Sequence, residues 1–196
     1  RAVVNLEREH VRGEIYMAGN SIVDALKEVF EWNLDPDRWK HQVLVTLHRR
    51  ETWPHLPEIV KAIHTVNSKW PVLWPAHPNP IVQAAARESG AEVVEPLSHK
   101  KFVSAMRNSG VIITDSGGVV EEAQVLGIPT LVLREETDRP EWGELSLLTS
   151  LDRLPFQIDR VNKAITAQTQ RPNWEGIGAG ARIADLCRRW LHERRR

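Results

Sequence analysis

One cysteine and one tyrosine are all that this 196-residue chain holds of those two residue types. The lone Cys187 excludes an intramolecular disulfide framework and suits a reducing cytoplasm. Charge of one sign is missing too. The 26 Lys and Arg residues cancel the 26 Asp and Glu residues, so no overall field draws in nucleic acid or an anionic membrane. Any anion bound here must be held by a local site. No run of about 18 apolar residues is present to span a bilayer. No basic stretch followed by an apolar segment opens the chain as a secretion signal. No two histidines stand at metal-ligand spacing, so we expect no metal and no cofactor.

What is present is ordinary for a globular protein: 41% hydrophobic and 27% charged residues. The length suffices for one well-buried domain and is short for two, so residues 1–196 read as a single domain. The chain opens on Arg1 rather than methionine, which leads us to expect a further segment upstream. The eight tryptophans have no physical account here.

Short apolar runs alternate with helical periodicity. Val43–Leu47, Val72–Trp74, Ala91–Val94, Val111–Thr114 and Thr130–Leu133 read as strands. Between them, Ile59, Val60, Ile63 and Val66 mark one helix face, and Ile81, Val82, Ala85 and Ala86 a second. Phe102, Val103 and Met106 mark a third, and Val119, Ala123 and Leu126 a fourth. Strands apolar on both faces, separated by helices, mean a parallel sheet covered on both sides. With right-handed crossovers the fold class is α/β, a doubly wound, mainly parallel, Rossmann-like sheet. Further helices are expected at Ser21–Phe30, Ile158–Ala167 and about Ala181–His192, with a loop over 170–176. In the last helix Ile183, Leu186, Cys187, Trp190 and Leu191 form one stripe, which makes Cys187 a buried core thiol rather than a reactive one.

In open α/β sheets ligands bind beyond the carboxyl ends of the strands. After the first strand comes His48-Arg49-Arg50-Glu51, and after the second His77-Pro78-Asn79. After the fourth comes Asp115-Ser116-Gly117-Gly118, leading to Glu121-Glu122. After the fifth comes Arg134, then Thr137-Asp138-Arg139-Pro140-Glu141. The fourth has the clearest physics, a strand running through two glycines into a helix start. Such a start offers unpaired N–H groups and the positive dipole end to a phosphate. Ser116 can add a hydroxyl, or it can be no more than an N-cap before a tight Gly117-Gly118 turn. Glu122 can sit in a first helical turn for the dipole alone, or accept hydrogen bonds from ribose hydroxyls. His48 and Arg49 can equally be solvated loop residues, Arg139 a surface ion-pair partner and His77 part of a turn. The dinucleotide fingerprint Gly-x-Gly-x-x-Gly is absent, which argues against NAD and for a mononucleotide or sugar nucleotide.

Several segments together carry a family likeness: Val45–Glu51, His77–Pro80, Thr114–Ala123, Leu133-Arg134, Thr137–Glu141 and the opening Gly19–Leu26. In order and spacing they resemble the non-hydrolysing UDP-N-acetylglucosamine 2-epimerases, over nearly the whole chain. The resemblance implies the UDP-binding, C-terminal half of a two-domain, glycosyltransferase-B-type fold. The implied reaction converts UDP-N-acetylglucosamine to UDP-N-acetylmannosamine by elimination and re-addition of UDP. It assigns Ser116, Gly117 and Gly118 to the diphosphate with Arg139 and His48, the latter being the one catalytic assignment. Glu122 falls to the ribose and Phe102 to the uracil. Arg49 and His77 match a second, regulatory UDP-N-acetylglucosamine site. The partners implied are UDP and a UDP-N-acetylhexosamine, with a second copy of the chain in a homodimer.

The sequence departs from the family pattern in places. Val120 replaces a glutamine, Trp142-Gly143-Glu144 replaces a small apolar continuation, and Gly178-Ala179-Gly180 lacks a loop aspartate. Two other readings stand beside the first. One is a hydrolysing relative that releases UDP and free N-acetylmannosamine; the other is a non-catalytic UDP-binding module. A second Rossmann-like half upstream, with acidic strand ends, favours an enzyme. On any of these readings the isolated chain is expected to lack epimerase activity.

Overall fold

Five strands stand where the apolar runs place them: β1 (Val43–Thr46), β2 (Val72–Pro75), β3 (Glu92–Val94), β4 (Val111–Thr114) and β5 (Thr130–Val132). A sixth, β6 (Ser146–Leu148), is not legible in the sequence, because Ser-Leu-Leu is too short to separate from a loop. Its pairing defines it: Leu131 of β5 aligns with Leu147 of β6, and the ladder is parallel. The six strands form one sheet in the order β3-β2-β1-β4-β5-β6, with every neighbouring pair parallel.

This computed structural model describes residues 2–29, 42–134, 146–150, 153–154, 156–159 and 173–193. They fall into two units, Val29–Asn173 and Arg1–Glu28 with Trp174–Arg196. The first holds the sheet and, among the described residues, the helices α3 (Leu56–Asn67), α4 (Pro80–Glu88), α5 (His99–Arg107) and α6 (Gly117–Leu126), with a short helical stretch at 156–159. A 3-10 turn, Arg50–His55, precedes α3.

β1, β4 and β5 are buried along their whole length. Alternate residues of a strand point to opposite faces. Val43, Val45, Val111, Ile113 and Leu131 therefore join Trp74 and the α3 and α4 faces in one cluster, which also takes in Leu154 and Ile158. Leu44 and Ile112 point the other way and are equally buried. α5 carries Val103 and Met106, and α6 carries Val119, Val120, Ala123 and Leu126, as their buried residues. Val120, in place of the family's glutamine, is fully buried in that packed face. α6 stops at Gly127, whose left-handed φ of 73° most other residues would resist.

The second unit contains α1 (Ala2–Arg8), α2 (Ser21–Val29) and α7 (Ala179–Glu193). The carboxylate of Asp24 on α2 accepts from the amides of Gly178 at 2.5 Å and Gly180 at 2.8 Å. An anion there satisfies helix-start donors, and these two bonds, Gly180's first, hold the Asp24 pKa below its ordinary value. Asp24 thus places a carboxylate at a loop that lacks its own. Arg182 answers with the opposite sign, donating to the carbonyls of Ala18, Gly176 and Ile177.

The α7 stripe corrects one expectation. Cys187 is exposed, with Ile183 41%, Trp190 51% and Leu191 52% exposed. Periodicity establishes that a helix has an apolar face; burial also requires a surface to cover it, and the described residues leave this face open. Of the helix expected over Ile158–Ala167, residues 158–159 are helical, continuing from 156, and 160–167 lie outside the described residues.

Candidate functional site

The strand order reverses direction between β1 and β4, since β1 leads outward to β2 and β3 while β4 leads to β5 and β6. Loops leaving such neighbours part to opposite faces and open a crevice beyond the strand ends. His48 and Arg49 leave β1 there, and Asp115 and Ser116 leave β4.

Asp115 ties the two loops together. It is fully buried, and its carboxylate accepts from the His48 amide at 3.0 Å and 3.2 Å. It also accepts from the Arg49 amide at 3.0 Å and the Thr52 hydroxyl at 2.7 Å. A buried carboxylate is costly unless hydrogen-bonded, and these donors meet that cost. The sequence reading passed over this role. Its one local signal is a charge set immediately after a buried, uncharged strand.

Ser116 is the N-cap of α6 with extended backbone, but its hydroxyl makes no capping bond. Gly117 and Gly118 are the first two helical residues, and neither has a positive φ, so no tight turn demands glycine there. A Cβ added at Gly118 meets only the Ser116 hydroxyl, at 4.0 Å. Among the described residues neither strain nor crowding explains that glycine. The Val120 amide, bonded to Ser116, makes the first helical bond. The amides of residues 117–119 therefore precede the helical ladder, as an anion site requires.

Across the crevice, the His48 ring nitrogen Nε2 lies 2.6 Å from the Thr46 hydroxyl. Although the residue retains an exposed surface, burial of the ring is the largest influence on its pKa and lowers it. Asp115 opposes that shift and His77 reinforces it. The His77 ring stands edge-on to His48 at 6.3 Å and lies 6.1 Å from Trp53. His77 Nδ1 accepts from the Asn79 amide at 3.1 Å, so Nε2 carries the hydrogen of the neutral ring. Asn79 in turn caps α4 through the Ile81 amide. His77 thus has a turn role and also borders His48. The adjacent β1 and β2 bring His48, Arg49 and His77 to one edge.

Glu122 lies in the second turn of α6, beyond the first-turn positions that the dipole favours. Its carboxylate instead pairs with His99 Nε2 at 2.9 Å, a partner the sequence reading did not find. Phe102 is half-buried on α5. Arg139, expected at the diphosphate, and Glu141 lie outside the described residues. Among the described residues no three His, Cys, Asp or Glu side chains gather as a metal site, and no helix is long and apolar enough to cross a membrane.

A family model described as UDP-N-acetylglucosamine 2-epimerase matches residues 1–173. The chain is similar to the UDP-N-acetylglucosamine 2-epimerase of Salmonella typhimurium, 34% identical over 161 residues, covering 70% of this chain and 43% of that protein. Among solved structures it is similar to the S. aureus MnaA–UDP co-structure, with a TM-score of 0.79 and 27% identity over 97% of this chain and 57% of that one. It is similar too to the Methanocaldococcus jannaschii UDP-GlcNAc 2-epimerase in complex with UDP-GlcNAc and UDP. There the TM-score is 0.73 and the identity 26%, over 95% of this chain and 58% of that one. The chain spans between 41% and 50% of the length of the curated relatives it matches.

Proposed function

This chain belongs to the UDP-N-acetylglucosamine 2-epimerase family, and on that premise we propose that it is the UDP-binding, C-terminal half of a cytoplasmic enzyme interconverting UDP-N-acetylglucosamine and UDP-N-acetylmannosamine. The observation that carries the reading is the start of α6. Three amides precede its first helical bond, a Cβ at Gly118 would meet nothing nearer than 4.0 Å among the described residues, and Asp115 ties it to His48. The diphosphate binds at Ser116, Gly117 and Gly118, with Arg139 and His48 assisting. Glu122 takes the ribose hydroxyls and Phe102 packs at the uracil. Arg49 and His77 serve a second UDP-N-acetylglucosamine.

In the reaction the bond from the sugar's C1 to the UDP oxygen breaks as the C2 proton leaves. UDP then returns to the glycal with the proton delivered to the opposite face. This half stabilises the charge that grows on the departing diphosphate. Fixed donors perform that task well because they need no reorganisation as charge develops. A neutral His48, favoured by its lowered pKa, can donate a hydrogen bond to a phosphate oxygen from either ring nitrogen, according to tautomer. The same reading expects a homodimer, which sedimentation tests.

Titration calorimetry of the 196-residue chain with UDP, UMP and uridine tests the site. We expect affinity to fall in that order and to be the same with and without a chelator. Equal affinity for UDP and uridine would remove the diphosphate from the start of α6. Loss of binding in the chelator would mean that a metal holds it.

A further inference from the structure

Glu122 presents only 14% of its side chain to solvent, so its carboxylate needs a partner. His99 provides one through Nε2, 2.9 Å from Oε1. The His99 side chain is itself 46% exposed, so its packing into a core does not account for its place. It opens α5 immediately after Ser98, and Phe102 follows three residues later on the same helix face. The first turn of α5 thus carries both the residue read as the uracil contact and the partner of the residue read as the ribose acceptor.

We infer that His99 is a positioning residue of the nucleotide site, holding Glu122 by Oε1 so that Oε2 meets the ribose 2′- and 3′-hydroxyls. The inference rests on the reading of Glu122 as the ribose acceptor and adds the group that orients it. A glutamate has three rotatable bonds, and a carboxylate tied at one oxygen forfeits less freedom when a diol binds at the other. The donor is an Nε2–H, present in a neutral tautomer, so the contact needs no protonated ring. The ligand class is a ribonucleoside diphosphate, selected over its 2′-deoxy counterpart.

The test is calorimetry of the full chain with UDP and with 2′-deoxy-UDP. The parent should prefer UDP. His99→Ala should weaken UDP about three- to tenfold, the scale of one lost hydrogen bond, and 2′-deoxy-UDP much less. His99→Gln, whose amide nitrogen can donate from a similar place, should restore the preference, while the apolar His99→Leu, which has no donor, should not. Gln against Leu gives the same comparison if the alanine variant unfolds. A preference in His99→Ala and His99→Leu equal to the parent's would overturn the inference alone. So would equal weakening of both ligands, the mark of a structural role. Glu122→Ala, which leaves no acceptor, should abolish the preference; if it keeps it, the ribose reading itself falls.

Discussion

The Asp115 carboxylate accepts the His48 backbone N–H at 3.0 Å, joining the ends of β4 and β1 across 67 residues of sequence. With the Arg49 amide and Thr52 hydroxyl on the same carboxylate, one buried side chain shapes the loop that borders the proposed diphosphate site. Asp115→Ala strands these donors, and we expect a loss of roughly 3 kcal/mol. Asp115→Asn keeps one acceptor oxygen and should lose less. Urea denaturation measures both. An alanine variant as stable as the parent would show that the loop reorganises freely.

Gly118 separates stability from binding. A methyl there has room, with its nearest contact at 4.0 Å, and alanine is the better helix former by up to about 1 kcal/mol. Gly118→Ala should therefore fold with an equal or higher Tm. It should also bind UDP at least tenfold more weakly, because the methyl would stand in the proposed diphosphate site. Unchanged UDP affinity would move the diphosphate elsewhere.

His48 makes stability depend on pH in a definite direction. Its folded pKa lies below the ordinary 6.5, so the unfolded chain takes up this proton first. The His48 contribution is whole above about pH 6.5, declines as the pH falls towards the folded pKa, and is gone below it. Urea denaturation at several pH values between 7.5 and 5 should show a shallower fall for His48→Gln than for the parent. Parallel curves would place the pH dependence in other groups.

The 196-residue chain by itself should not exchange the C2 proton of UDP-N-acetylglucosamine with solvent. Exchange needs a base within about 3 Å of that proton, and the proposed function assigns both His48 and Glu122 to the nucleotide. NMR in heavy water measures it. Exchange by the purified chain, lost in Glu122→Gln, would place the base within this half.

The five apolar strands and their helices were legible because their signals are local. Val111-Ile112-Ile113-Thr114 reads as a strand from its own residues, since its three β-branched Val and Ile residues favour the extended form, and it is buried on both faces. The strand-to-helix junction at Ser116, Gly117 and Gly118 was legible for the same reason, since a strand end, a serine and two glycines stand side by side. β6 was not, because three residues become a strand only by pairing with β5.

By itself, then, the sequence determined the class of fold, the polar strand ends and the family whose motifs occupy them. These depend on periodicity and on neighbours along the chain. The tertiary structure decided which strand ends meet. The β1–β4 junction brings His48 to Asp115, and α5 beside α6 brings His99 to Glu122, 23 residues away. It also decided that Cys187 is exposed, against the expectation from its stripe. In each case the physical reason is the same: burial and pairing belong to two surfaces at once, and a pattern along the chain describes only one of them.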